Sequence, residues 1–322
     1  MKNFKHITGA FVGKGGLEIF FQTWTAPKPK GILVLAHGLG EHSGRYMNII
    51  EALDGKNISV YALDHRGHGK SAGKRGHIDA IGDFIYDLKT FVTMVHDEGK
   101  NLPLMLMGHS MGGLIACKYA LTYPDDMDAL VLSSAGLKIA AAIPQWKETL
   151  GKFFSKYIPA LQMPNGLDAN DLSHDQKVID AYVNDPLVHN LASARFFTEF
   201  MGTGAECLDR AAELSMPLLV FHGKEDKIVD YRGSEVVYGK ASTPRGAKTL
   251  HIFPDLYHET MNEAEPQKSR VIGIVSSWIL AHMVKVKPAA KAKPVKAKKA
   301  AAPKAKAKKK PAPAKKKSKA RK

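Results

Sequence analysis

Gly108-His109-Ser110-Met111-Gly112-Gly113 follows a strand-like apolar run, Leu102–Met107, and precedes a stretch of helix-forming residues. A Gly-x-Ser-x-Gly in that setting has the form of a nucleophile elbow. The turn is tight enough to hold the serine in strained backbone geometry with its hydroxyl exposed. The flanking glycines let strand and helix approach without Cβ clashes. A serine hydroxyl is a weak nucleophile and needs a base to take its proton. Histidine suits that task because its pKa lies near neutrality. The histidine in turn needs an acceptor, often Asp, to fix its tautomer and stabilise the imidazolium. In the elbow architecture the partners follow in the chain order serine, acid, histidine.

The acid therefore belongs after a later strand. The run Pro217–Phe221 leads into His222-Gly223-Lys224-Glu225-Asp226. Asp226 falls in the loop just after that strand, where ligand-facing residues of such sheets lie. Glu225 and Asp230 compete with it for the role. The next run, Thr249–Phe253, leads into Pro254-Asp255-Leu256-Tyr257-His258 and then a helix. The chain holds 14 histidines, so residue type alone selects none of them. Position after the last strand selects His258, whereas His251 lies inside the strand and reads as a packed or edge residue. A tetrahedral intermediate also needs donors for its oxyanion. One is the main-chain N–H of the residue after the nucleophile, Met111. The other comes from the loop after an early strand, His37-Gly38-Leu39-Gly40, which assigns the main-chain N–H of Leu39.

The elements that must position these groups alternate. Phe4–Phe11 and Leu17–Trp24 flank Gly13-Lys14-Gly15-Gly16 and read as a hairpin. Gly31–Ala36, Ile58–Leu63, Leu102–Met107, Ala129–Leu132 and Pro217–Phe221 are short, continuous apolar runs, as expected of strands buried on both faces. Between and after them lie helix-like segments at Tyr46–Leu53, Ile81–His96, Met111–Thr122 and Tyr231–Gly239. A last helix follows Pro266, with Val271, Ile272, Val275, Trp278 and Ile279 on one face. The pattern is that of an α/β protein with a mainly parallel sheet and helices on both faces. It breaks at 137–205. There Ile143, Trp146, Leu150, Phe153, Phe154, Tyr157, Ile158 and Leu161 recur at helical spacing, and Phe196, Phe197, Phe200 and Met201 form a second cluster. No strand–helix pair is evident, so this segment reads as a helical insertion placed to roof a pocket. The expected division is 1–136 and 206–284 as the core, 137–205 as a cap, and 285–322 as a tail.

The net charge of +16 is not an average property. Of the 47 lysines and arginines, 18 fall in residues 285–322, which hold no Asp or Glu. Residues 1–284 therefore carry 29 basic against 31 acidic side chains. A Lys/Ala/Pro tail cannot bury enough apolar surface to fold and is expected to be disordered. Nucleic acid, an anionic membrane surface and no partner at all are its three open readings. A polyanion-binding protein with an inert core is the alternative from a different class. Two cysteines, Cys117 and Cys207, cannot build a disulfide framework and point to a reducing compartment. Cys117 reads as a small core residue. No signal peptide is apparent at 1–16, and no apolar run approaches the ~20 residues that span a bilayer. The expected location is cytoplasmic, or peripheral at a membrane.

Together these residues resemble a known branch. His37-Gly38-Leu39-Gly40-Glu41-His42-Ser43-Gly44-Arg45-Tyr46 resembles the oxyanion-loop signature of the monoacylglycerol lipase and lysophospholipase branch of the α/β-hydrolases. Asp64-His65-Arg66-Gly67-His68-Gly69-Lys70-Ser71, Gly108–Gly113 and Asn184-Asp185-Pro186-Leu187-Val188 resemble further elements of that branch, the last of them in its cap. The likeness covers nearly all of 4–284. It implies the α/β-hydrolase fold, Ser110 as nucleophile, Asp226 as acid, His258 as base, and Leu39 and Met111 as oxyanion donors. It implies hydrolysis of a single-chain lipid ester of glycerol or a lysophospholipid, without metal or organic cofactor. Gly-His-Ser-Met-Gly-Gly alone is shared with peptidases, so a serine peptidase or short-chain esterase of the same fold is the alternative enzyme. The polar Asp64–Ser71 loop is expected to do structural work.

Overall fold

The computed structural model describes residues 3–99, 101–140 and 144–284. The tail at 285–322 and Ile143 lie outside the described residues. Ten strands and eight α-helices are present among them. The strands are β1 (Lys5–Val12), β2 (Glu18–Thr25), β3 (Gly31–Ala36), β4 (Ile58–Leu63), β5 (Leu104–His109), β6 (Ala129–Ser133), β7 (Gln162–Pro164), β8 (Leu191–Ser193), β9 (Leu218–Gly223) and β10 (Lys248–Phe253). The helices are α1 (Met47–Leu53), α2 (Gly82–Glu98), α3 (Met111–Thr122), α4 (Gln145–Tyr157), α5 (Gln176–Val183), α6 (Ala194–Arg210), α7 (Arg232–Lys240) and α8 (Gln267–His282).

Eight strands form one sheet in the order β1-β2-β4-β3-β5-β6-β9-β10. β1–β2 and β2–β4 pair antiparallel, and every pair from β4 to β10 is parallel. Every residue of β3, β4, β5, β6 and β9 is buried. Successive side chains of a strand point to opposite faces. Ile32 and Val34 accordingly join Leu106 and Leu132 in one core, with Phe84, Leu88 and Phe91 of α2 and Leu114 and Ile115 of α3. Leu33 and Leu35 join Met107 and Val131 in the other, with Ile49 and Leu53 of α1 and Val275 and Trp278 of α8. Two covered faces explain why the central strands read as unbroken apolar runs. Cys117 of α3 and Cys207 of α6 are free and buried in the first core.

The parallel order brings the carboxyl ends of β3, β5, β6 and β9 to one edge. The loops that leave that edge carry Leu39, Ser110 and Asp226. The insertion is not wholly helical: β7 and β8 pair antiparallel within it, with Gln162 opposite Ser193. Three-residue strands are too short to leave a period-two pattern beside Pro164, so no strand is evident there in the sequence. α6 runs across the expected boundary at 205, from Ala194 to Arg210. It starts at a built cap, where Ser193 Oγ accepts from the Phe196 N–H at 3.1 Å.

Candidate active site

β5 ends at His109, and the chain turns at once into α3 through Ser110, whose φ of 53° and ψ of −119° lie where L-residues are strained. The turn is held from both sides. Ser110 N–H donates to Ser133 O at 3.0 Å, and Ser110 O accepts from Gly136 N–H at 2.8 Å. Glycine is obligatory around it. A Cβ on Gly108 would collide with the Gly112 carbonyl, and one on Gly112 with the carbonyls of Ala36 and His37. Met111 opens α3, so its N–H is among the first-turn amides that a helix leaves without an intrahelical acceptor.

The loop after β3 approaches the same turn. Leu39, Ser110 and Met111 line one cleft of about 270 Å³. The loop is fixed from beneath by two buried side chains. Glu41 accepts from Gly38 N–H and from the Tyr46 hydroxyl, both at 2.6 Å. His37 donates from Nδ1 to Gly38 O and accepts the His65 N–H on Nε2, each at 2.8 Å. Burial alone would raise the Glu41 pKa, but the charges of Arg45, His109 and His37 and the Tyr46 hydrogen bond together outweigh it and hold the carboxyl at about 2. The loop of Asp64–Ser71 is structural, as expected: Asp64 accepts from Ser43 N–H and Lys70 N–H, and Arg66 pairs with Asp87 at 2.6 Å.

The three candidate acids separate cleanly. Glu225 is exposed, and Asp230 pairs with Lys138 at 2.8 Å. Asp226 is buried and reaches His258, Oδ2 accepting from Nδ1 at 2.6 Å. Asp226 Oδ1 accepts from the N–H groups of Ile228 and Val229 at 2.8 and 2.9 Å. Burial would raise this carboxyl's pKa, but the charge of His258 and the hydrogen bonds of His222 and His258 drive it far below the usual range. Burial likewise would lower the pKa of His258, and the Asp226 carboxylate overcomes that to raise it, with Glu259 and Glu41 adding to the pull. His258 Nε2 is the nitrogen left to take a proton, and His258 and Ser110 line one narrow cavity with Leu39. His251 lies half-buried in β10, stacked on Phe253.

Two further features of the site are not evident from the motifs alone. The first is His222, wholly buried at the end of β9, whose Nε2 donates to the same Asp226 Oδ2 at 2.9 Å. A histidine at the carboxyl end of a strand, four residues before the acid, was the available signal. The second is a tie between the two loops. Arg45 donates to Glu41 at 2.6 Å and forks onto Glu259 at 2.6 and 2.9 Å, joining the oxyanion-side loop to the residue beside His258. No local signal marks a pair 214 residues apart.

The insertion closes the cleft. Phe196, Phe197 and Phe200 of α6 wall it, and an adjoining cavity of about 490 Å³ runs on past Phe197 to Phe154, Leu150 and Met163. The insertion is pinned at the oxyanion-side loop, where His189 N–H donates to Gly40 O at 2.8 Å and His42 Nε2 meets Asp185 Oδ2 at 2.9 Å. A buried, polarised imidazole that shares a cavity with Ser110, which also lines an apolar cleft, can generate an alkoxide-like nucleophile beside room for a long hydrocarbon chain. Among the described residues no group of three or more His, Cys, Asp or Glu side chains is placed to hold a metal ion.

Comparison with known proteins gives a consistent family. The family described as Hydrolase_4, Serine aminopeptidase, S33, matches residues 27–265. A monoacylglycerol lipase of Mycolicibacterium smegmatis is 37% identical over 276 residues, covering 85% of this chain and 97% of that one. Human monoglyceride lipase is 30% identical over 274 residues, covering 83% and 88%. The crystal structure of the Paleococcus ferrophilus monoacylglycerol lipase superposes with a TM-score of 0.74 at 30% identity, covering 86% of this chain and 99% of that one.

Proposed function

The chain belongs to the serine aminopeptidase S33 family of α/β-hydrolases, and from that premise we propose that it is a serine carboxylester hydrolase acting on monoacylglycerols or lysophospholipids. The observation that carries the reading is the apolar cleft that begins at Ser110 and runs under Phe196, Phe197 and Phe200. Ser110 Oγ passes its proton to His258 Nε2 and attacks the ester carbonyl carbon. The oxyanion that forms is held by the N–H groups of Leu39 and Met111. Collapse breaks the bond to the glycerol oxygen, which leaves with the proton from His258. Water, deprotonated by the same imidazole, then attacks the acyl-enzyme and releases the fatty acid and free Ser110. Asp226 stays ionised throughout and stabilises the imidazolium. Residues 1–136 and 206–284 supply this chemistry, and 137–205 form the cap that receives the acyl chain. No metal or organic cofactor enters the scheme.

We read the enzyme as cytoplasmic and peripheral at an anionic membrane. α4 exposes Leu150, Phe153 and Tyr157, and residues 285–322 supply 18 positive charges for lipid head groups. Each basic residue near such a surface contributes about 1 kcal/mol. Residues 1–284 should lose vesicle binding relative to the full chain. Retained vesicle binding, or equal retention on DNA at matched salt, would overturn the membrane reading and favour nucleic acid or no partner.

The name of the family, serine aminopeptidase, joins the elbow shared with peptidases in supporting the alternative, a serine peptidase. A substrate panel separates them. Full-length protein is assayed on medium-chain monoacylglycerol, a lysophospholipid, a short-chain ester and an aminoacyl anilide, beside Ser110→Ala. Monoacylglycerol or lysophospholipid should have the highest kcat/KM, and Ser110→Ala should lose turnover by orders of magnitude. Preference for the anilide or short ester, or full turnover in Ser110→Ala, would overturn the reading.

A further inference from the structure

The pairing of Asp226 with His258 leaves a wholly buried titratable side chain in direct contact with the acid, His222, without a role. His222 has no exposed surface. Its Nε2 lies 2.9 Å from Asp226 Oδ2, the oxygen that also takes the His258 Nδ1 proton at 2.6 Å. Its Nδ1 lies 2.8 Å from Ser234 Oγ, in the first turn of α7. An ionised carboxylate can only accept hydrogen bonds. The proton between His222 and Asp226 therefore sits on Nε2, whichever way the Ser234 hydroxyl turns. Ser234, His222, Asp226 and His258 form one chain of hydrogen bonds in which two imidazoles converge on a single oxygen.

We propose that His222 is a positioning residue for the hydrolytic reaction: a second imidazole donor, oriented by Ser234, that fixes Asp226 Oδ2 and tempers its pull on His258. The inference rests on the reading of Asp226 and His258 as the acid and base. Its physical content is a division of charge. With Oδ1 occupied by two main-chain N–H groups, Oδ2 is the only oxygen facing His258. A donor on that oxygen draws off part of its negative charge. Remove the donor and the carboxylate becomes a stronger acceptor, so the His258 imidazolium is held more tightly and gives up its proton at higher pH. The other groups that bear on His258 are Glu259 and Glu41, which raise its pKa, and His109, whose ring centroid lies 4.9 Å away, with Arg45 behind the two glutamates. None of these touches His222, whose polar partners are Asp226 and Ser234. His222 does not line the cleft, so its loss should act on kcat and leave KM in place.

The test is the pH profile of kcat/KM for His222→Leu, His222→Gln and Ser234→Ala, each normalised to active sites titrated with a fluorophosphonate. His222→Leu should move the acid limb upward by roughly half to one pH unit and lower kcat about 10-fold at neutral pH. Glutamine restores an N–H donor toward Asp226, so His222→Gln should return the limb to its wild-type position. Ser234→Ala frees the ring to change tautomer and should shift the limb in the same direction by less. A limb unmoved in His222→Leu overturns the proposal. If that variant does not fold, an unmoved limb in Ser234→Ala together with a displaced one in His222→Gln overturns it equally. Asp226→Asn separates this outcome from failure of the underlying reading. Full activity in Asp226→Asn refutes the acid assignment itself, whereas an inactive Asp226→Asn with an unmoved His222→Leu limb refutes the role of His222 alone.

Discussion

Ser110 is the one residue of the elbow whose side chain is required by the chemistry and penalised by the backbone. At φ 53° and ψ −119° a residue with a Cβ costs about 1–3 kcal/mol relative to relaxed geometry, while glycine adopts the region freely. Ser110→Ala removes the hydroxyl and keeps the Cβ, so it keeps the strain. Ser110→Gly removes both. Against this gain stands the larger conformational entropy of glycine in the unfolded chain, about 0.4–1 kcal/mol. Taken at the middle of each range, the difference favours Ser110→Gly over Ser110→Ala by about 1.3 kcal/mol, or roughly 2–4 °C in Tm for a chain of this size. Both variants should be inactive, so the comparison isolates stability from turnover. Thermal melts of the full-length variants by circular dichroism, at one protein concentration and pH, measure it. Exposed Ser277, within α8, serves as the control. There the helix prefers alanine by about 1 kcal/mol, so Ser277→Ala should melt above Ser277→Gly, the opposite order. If Ser110→Gly melts at or below Ser110→Ala, the elbow does not store strain at this residue.

The raised pKa of His258 places the acid limb of wild-type kcat/KM above the ordinary imidazole value of about 6.5, because only the neutral ring can take the serine proton. A limb below that value in a pH–rate profile would contradict the Asp226 pairing. Arg45→Met leaves Glu41 and Glu259 buried without their shared cation. The cost should be about 3–5 kcal/mol in urea-unfolding free energy, with kcat falling as both loops lose their tie, and an unchanged midpoint would refute it. His37, His65 and His68 are all pushed below their ordinary pKa, chiefly by burial. The unfolded chain binds protons that these folded rings refuse. Stability should therefore fall as pH drops below about 6.5, by up to about 1.4 kcal/mol per pH unit for each ring, while His258, whose pKa is raised, alters stability only above that value. Denaturant midpoints that stay flat from neutrality down to pH 5 would show that the three rings are charged in the folded state.

The parts legible in the sequence are those in which one local requirement excludes other residues. β3, β4 and β9 declare themselves because burial on two faces leaves almost continuous apolar runs, with Ser59 and His222 the buried polar exceptions. The elbow declares itself because Gly108 and Gly112 stand where any Cβ meets a carbonyl. Asp226 shows where position gives out as a guide. Glu225 and Asp230 share its loop, and distance from the strand end ranks the three without deciding among them. What separates them is an Asx turn, Oδ1 capping the N–H groups of Ile228 and Val229, which leaves Oδ2 turned toward His258. That turn is a local property of Asp226, whose side chain caps the N–H groups two and three residues on, past Lys227. His222 and the Arg45–Glu259 pair belong to another class. His222 reaches Asp226 only four residues on, and its meaning comes when His258, on the loop after β10, shares that oxygen; the meaning of the Arg45–Glu259 pair comes from the oxyanion-side loop lying beside the histidine loop. The cap ribbon β7–β8 joins them, since three residues pair only because the intervening chain returns. The groups that could do chemistry are therefore announced by their own segments, while the groups that aim them are visible only once the segments have met.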